Sequence, residues 1–331
     1  MRRIRKLYYF DRKNAEEMIS FLNNSANDAY INHIMFNPFI LLHHLLPLRF
    51  KFLPESYVLK EKNELKGLIT VAPSRIPIKK MEIQKLLFEE NCYEDAAELV
   101  QYVVSRYKAM GTASFVVRVD DHLPELVKMF ISKCGFSQIS YEKLWRINHI
   151  EKKNYNFAGY RKFVNSDSHA AAILYNEALL PHFRPLLGKD AKEFTEIPCK
   201  GLSSYSEYKY VIENLKTGSV NAIISINTPD NENYILDLIQ SNWAEIDIDE
   251  IIAYANYQIH KRKKRYNLFI TTRKYTHTGE NREQDFISRR YECIQNQIVL
   301  TNSSARIIKN TEHSGKFTVI NQLYAGARAI N

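Results

Sequence analysis

The sequence predicts an α/β protein built twice over: two tandem domains, each a mostly antiparallel mixed sheet flanked by helices. Three observations predict it. One order of β-rich and helical runs occurs twice, about 155 residues apart. A charged, asparagine-rich stretch, Glu151-Lys152-Lys153-Asn154-Tyr155-Asn156, stands between the two occurrences. The chain of 331 residues is longer than one core usually covers.

The first occurrence opens on Arg5-Lys6-Leu7-Tyr8-Tyr9-Phe10-Asp11, the second on Tyr160-Arg161-Lys162-Phe163-Val164-Asn165-Ser166-Asp167. Asp11 and Asp167 each precede a helical pattern and are expected as N-caps. Two β-rich runs around a polar turn then read as a hairpin, Tyr57–Lys60 with Leu65–Val71 and Tyr210–Glu213 with Val220–Ile226. A third strand follows in each, Met81–Leu87 and Tyr234–Ile239. Next comes a helix. Ala96, Leu99, Val100, Val103 and Tyr107 carry its apolar face in the first copy, and Ile248, Ile251, Ile252, Ala255 and Ile259 in the second. The acids Glu94-Asp95 and Asp247 with Asp249 suit the helix starts, where free N–H groups and the dipole favour negative charge.

A short β-run follows each helix, Ser114–Val119 and Asn267–Thr272. Another helix comes after it. In the first copy it carries Leu126, Val127, Phe130, Ile131 and Cys134 and closes at Gly135; in the second it is expected from about Glu283 to Ile294. Closing strands, Ile139–Ile147 and Ile298–Ile307, complete the copies. The expected division is 1–150, 157–310 and a tail, 311–331, in which Phe317–Ile320 suggests an added edge strand.

Composition narrows the class. Hydrophobic residues at 45% and charged residues at 25% fit a folded globular chain and exclude a disordered one. The net charge of +9 favours acidic partners or is simply a solvated surface. Cys92, Cys134, Cys199 and Cys293 form no C-x-x-C pair, which argues against a zinc or redox site and fits a reducing, cytoplasmic setting. The basic start, Arg2 to Lys6, lacks the apolar run of a secretory signal. The most apolar window, Ile31 to Leu48, is broken by Asn37, Pro38, His43, His44 and Pro47 and is too polar to span a bilayer. Adjacent His43 and His44 point to different faces, so with His33 they suggest a structural or pocket role, not a metal pair. The run His260-Lys261-Arg262-Lys263-Lys264-Arg265 complements a helix C-terminus, and no nucleic-acid motif accompanies it.

The segment Leu126-Val127-Lys128-Met129-Phe130-Ile131-Ser132-Lys133-Cys134-Gly135-Phe136 is similar to the ending of the last helix in the GNAT N-acyltransferase superfamily, and the order of elements resembles that fold twice. The resemblance implies acyl transfer from acetyl-CoA or another acyl-CoA to a small-molecule or peptide amine. It also implies a glycine-rich loop whose backbone N–H groups hold the CoA pyrophosphate. The first copy has Leu87-Phe88-Glu89-Glu90-Asn91-Cys92-Tyr93-Glu94-Asp95 there, acidic and without glycine. The second has Gln240, Ser241, Asn242, Trp243 and Ala244, with Gln240 where the family often has Gln or Arg. The family's general-acid tyrosine stands four residues before the glycine. That position is Ile131 in the first copy, and aligning Arg146-Ile147 with Arg306-Ile307 brings Tyr291 onto it in the second. The sequence therefore places any chemistry in the C-terminal copy, with Tyr291 as acid and Gln240–Ala244 as the CoA loop. The alternative is a non-catalytic tandem binding module that has lost CoA.

Overall fold

The structure, a computed structural model, describes residues 2–8, 11, 13–15, 54–62, 64–73, 80–149, 155–195, 206–228, 230–244 and 246–303. His33, His43, His44, Cys199, most of the linker, the end of the last expected strand and the tail 311–331 lie outside these residues. No described helix is long and apolar enough to cross a membrane.

The first repeat contributes strands β1 (Arg2–Lys6), β2 (Glu55–Glu61), β3 (Glu64–Pro73) and β4 (Lys80–Phe88), helix α1 (Tyr93–Ala109), strand β5 (Ser114–Asp120), helix α2 (Pro124–Ser132) and strand β6 (Ser137–Arg146). The second contributes β7 (Tyr160–Lys162), helices α3 (Ser168–Ala178) and α4 (Arg184–Leu187), strands β8 (Ser206–Glu213), β9 (Val220–Thr228) and β10 (Asn233–Gln240), helix α5 (Ile248–His260), strand β11 (Asn267–Arg273), helix α6 (Gly279–Ser288) and strand β12 (Glu292–Ser303).

All twelve described strands form one sheet in the order β1-β2-β3-β4-β5-β12-β6-β11-β10-β9-β8-β7. Pairing is antiparallel except between β4 and β5 and between β10 and β11. The order is a pseudo-twofold: reading inward from either end gives the same elements, except that the last strands have changed places. β12 pairs with β5 of the first repeat, β6 pairs with β11 of the second, and the two pair with each other at the centre. Core membership follows the exchange. Trp145 of β6 and Ile147 just after it pack with α5 and α6, whereas Leu300 of β12 packs with α1 and α2. The Trp145 indole N–H donates to Thr272 Oγ1 of β11 at 2.9 Å. A third core, on the opposite face, joins α3 and α4 to Val116, Val211, Ile223 and Val299.

The repeat is visible in detail. Arg5 grips Asp11 with two bonds, 2.6 and 2.8 Å, and Arg161 grips Asp167 with two, 2.8 and 2.7 Å. In both, the aspartate also accepts a backbone N–H, from Tyr8 and Val164. Bidentate pairing of this kind fixes direction as well as charge. Asp167 does stand at the N-cap of α3, but its carboxylate is spent on this clamp and not on the helix N–H groups. Burial raises the Asp11 carboxyl, and the bonds from Arg5 and Lys60 outweigh it and hold it below the usual range. At the position of Lys60 the second repeat has Glu213, which joins Arg161 instead at 2.5 Å.

One boundary differs from the expectation. The last helix of the second repeat runs Gly279–Ser288, earlier than Glu283 to Ile294, and Glu292 already begins β12. Its interior is polar, so apolar spacing gives little register there.

Because β5 and β6 are separated by β12, residues 1–150 lack the strand between them. Expressed alone, this fragment is expected to dimerise, each copy lending β6 to the other. Light scattering after gel filtration checks it: a well-folded monomer contradicts the exchange.

Candidate functional site

The two parallel strand pairs are where the sheet opens. β4 and β5 are paired from Lys80–Ser114 to Ile83–Val117, and then part. β10 and β11 are paired from Asn233–Asn267 to Leu236–Ile270, and then part. The halves treat the opening differently.

In the N-terminal half a β-bulge sits at the point of parting. Thr70 pairs with Lys85 and Val71 with Ile83, which leaves Gln84 as the extra residue of β4. A bulge bends its strand and ends regular pairing. The resulting cleft has a volume of about 840 Å³, with β4 and the loop to α1 on one side, β5 on the other, and Leu123, Leu126 and Phe130 closing the back. Gln84 Oε1 is buried and has no hydrogen-bond partner among the described residues. A buried acceptor left unmet is costly, and it belongs to a residue that lines the cleft. Lys85 also lines the cleft, and burial pushes its ammonium down to about 8. Asn91, in the loop, takes φ of 63°, the left-handed conformation that a family glycine would adopt freely.

In the C-terminal half, β9 and β10 pair without a register shift, so the bulge is missing. The opening is filled from within. Arg273 at the end of β11 reaches across to Asp237 of β10, with Nη2 donating to Oδ2 at 2.8 Å. Arg282 of α6 lies where Leu126 lies in the first half, four residues before a buried phenylalanine of the last helix. It donates to Gln240 Oε1 at 2.5 Å and to the Leu238 carbonyl at 3.5 Å. It therefore occupies the strand edge that parting leaves bare. Burial pushes its guanidinium down to about 10, which leaves it charged at neutral pH. Gly279 lets α6 begin against β11: a Cβ there would lie 2.0 Å from the Arg273 carbonyl oxygen.

The residues expected to form the CoA loop are together, with Gln240 and Ser241 turned inward and Asn242 and Trp243 exposed. Gln240 accepts from Arg282 and donates to the Ala244 carbonyl at 2.7 Å. Ser241 is fully buried, and its N–H donates to Asn221. Asn242 donates to the Glu177 carbonyl at the end of α3, at 3.1 Å. Trp243 is 62% exposed.

Tyr291 is placed otherwise than the alignment with Arg306 and Ile307 implied. Its backbone N–H donates to the Phe286 carbonyl, as that of Phe136 donates to Phe130, both at 3.0 Å. Each follows a left-handed residue, Arg290 at φ 59° and Gly135 at φ 69°. Each ring packs on the same helical phenylalanine, at 5.6 and 5.1 Å. Tyr291 is thus the counterpart of Phe136, a core ring 6% exposed, and burial raises its hydroxyl pKa. Four residues before Arg290 stands Phe286, wholly buried.

No family model matches the sequence, and no curated protein matches it. Solved structures do match in fold. A tandem GNAT protein from the clavulanic acid biosynthesis pathway superposes with a TM-score of 0.61 at 8% identity, over 92% of this chain and 99% of that one. A GCN5-related N-acetyltransferase from Sphaerobacter thermophilus gives 0.58 at 10% identity, over 91% and 95%. A Drosophila protein gives 0.55 at 11%, over 91% and 98%. The chain has the tandem GNAT fold, an α/β fold with a mostly antiparallel mixed sheet. Identities this low carry the fold and not the activity.

Sequence reasoning did not find Gln84, Lys85, Arg273 or Arg282. A bulge has no local signature, and Asp237 and Arg273 meet only through the strand pairing. Two outcomes follow. Arg273→Ala strands Asp237 and leaves Glu142 with one arginine fewer, so stability should fall by ~3–5 kcal/mol in chemical denaturation. Lys85 has its folded pKa depressed from 10.5 to about 8, so its charged form is disfavoured in the fold. Lys85→Met should therefore stabilise most below pH 8, and the gain should fade as pH rises towards 10.5, where the unfolded amine also loses its proton. Denaturation midpoints of both proteins across that range check the sign.

Proposed function

We propose that the protein transfers an acyl group from a thioester to a small-molecule or peptide amine, with the donor in the N-terminal cleft. The C-terminal half is its closed counterpart. This reverses the halves that the loop sequences suggested. The observation that carries it is the bulge at Gln84, which opens a cleft that this residue lines, beside a buried Oε1 unmet among the described residues. A pantetheine arm is narrow, largely neutral and bears amide N–H groups, which suits both. The amine attacks the thioester carbonyl, the C–N bond forms, the C–S bond breaks, and the thiolate leaves with a proton. The fold shared with a tandem GNAT protein makes acetyl-CoA a natural probe. The unpaired Cys92, Cys134 and Cys293 accord with cytoplasmic work.

In this reading Tyr291 packs the core, and Gln240 to Ala244 close a turn that Arg282 seals. A second reading, a binding module without turnover, draws on Ile131, which stands at the family's acid position, and its counterpart Ile287, neither of which carries a transferable proton.

Calorimetric titration with acetyl-CoA and with S-acetylpantetheine tests the site. Leu126→Arg copies the plug of the other half and should abolish donor binding. Gln84→Leu removes the whole side-chain amide, acceptor and donor together, and should weaken binding about 5- to 20-fold while leaving the unliganded fold no less stable. Donor binding that survives both substitutions places the donor elsewhere. Release of free thiol with a panel of amines then separates enzyme from binding module.

A further inference from the structure

The cleft and its rim make opposite demands. The cleft accepts an apolar arm, but Glu89 and Glu90 of the loop line its mouth, and Glu94 and Asp95 follow in the first turn of α1. Cations do reach them from distant parts of the chain. Lys66 is shared by Glu64 and Glu89 at 3.0 and 2.9 Å, Arg2 is shared by Asp95 and Glu98 at 2.5 and 2.6 Å, and Lys133 bonds Glu94. Among the described residues, these three cations are already shared or taken, and Glu90 adds a further carboxylate. Asp120, on β5, lines the other side of the cleft, whose cations are Lys85 and Arg118, the latter already bonded to Glu82 and Glu142. The start of α1 would ordinarily attract an anion, but Glu94 and Asp95 already occupy its first turn. No glycine opens the backbone between β4 and α1, so phosphate cannot approach closely.

Resting on the donor site proposed above, we infer that this cleft selects the pantetheine arm of a thioester and rejects the phosphorylated nucleotide of CoA. The preferred donor is a thioester on an arm whose far end carries little negative charge at this mouth. The arm supplies apolar contact with Leu86, Leu123, Leu126 and Phe130. The nucleotide adds only repulsion from the rim, which is strongest at low ionic strength, where charges are least screened.

The experiment compares acetyl-CoA with S-acetylpantetheine by calorimetry on the full chain at about 0.02 M and about 0.2 M salt, a range over which the Debye length shortens about threefold. S-acetylpantetheine is expected to bind at least as tightly as acetyl-CoA at low salt, with little change on adding salt. Acetyl-CoA should bind about 3- to 10-fold more tightly at the higher salt, the reverse of ordinary anion binding. Glu90→Lys should strengthen acetyl-CoA about tenfold and leave S-acetylpantetheine unchanged. Acetyl-CoA binding more tightly at low salt than S-acetylpantetheine overturns the selectivity while keeping the donor site. If neither ligand binds, the donor site falls and the selectivity with it. An acetylated carrier domain, as a third probe, identifies the source: tighter binding than the free arm indicates a protein-borne donor, and weaker binding a free one.

Discussion

β12 lies between β5 and β6, and most of the molecule's order depends on that placement. A sheet edge left by β5 would expose a row of unpaired backbone groups over its length. Here each repeat closes the other's edge. Val117, Val119 and Phe115 of β5 share a core with Leu300, which comes from the far end of the described chain. Trp145 and Ile147 do the reverse. Neither repeat has a finished core of its own, so folding requires contacts between residues far apart in sequence.

A chain of charges crosses the same centre on one face. Arg118 bonds Glu82 and, through Nε at 2.8 Å, Glu142. Glu142 also accepts from the Tyr275 hydroxyl, and Arg273 lies 4.0 Å from it while gripping Asp237. Burial works against each charge, yet the opposite neighbours hold Glu142 and Asp237 below the usual carboxylate range. The line ends at the C-terminal opening, where Arg273 and Arg282 close it. Among the described residues no arginine meets Gln84 in the N-terminal opening, which keeps its space. Polar bonding across the middle of the sheet and the difference between the two clefts share residues.

The sequence revealed the repeat and the order of its elements, because alternation and helical spacing are local signals. Asp11 and Asp167 were legible as a matched pair, though their bonding to Arg5 and Arg161 was not. The site was less legible. Aligning Arg146 with Arg306 shifted the second repeat by about five residues, which carried Tyr291 onto a catalytic position and away from its true counterpart, Phe136. The polar helix α6 offered no apolar register to correct this. The loops were read in isolation, so Gln240 looked available and Glu89 unopposed. Arg282 and Lys66, which decide both, arrive from other elements.

The pseudo-twofold sheet has the form of two identical subunits trading strands across an axis. In an assembly of separate copies, any substitution is made on both sides of that axis at once. A bulge that opens one cleft would open two, and an arginine that seals one would seal both. Joining the copies through a linker removes that obligation: position 84 and position 237 are separate letters, as are 126 and 282. One side can then be given over wholly to rigidity while the other keeps a hollow. The strand each lends its neighbour means that the rigid side still shapes the hollow one.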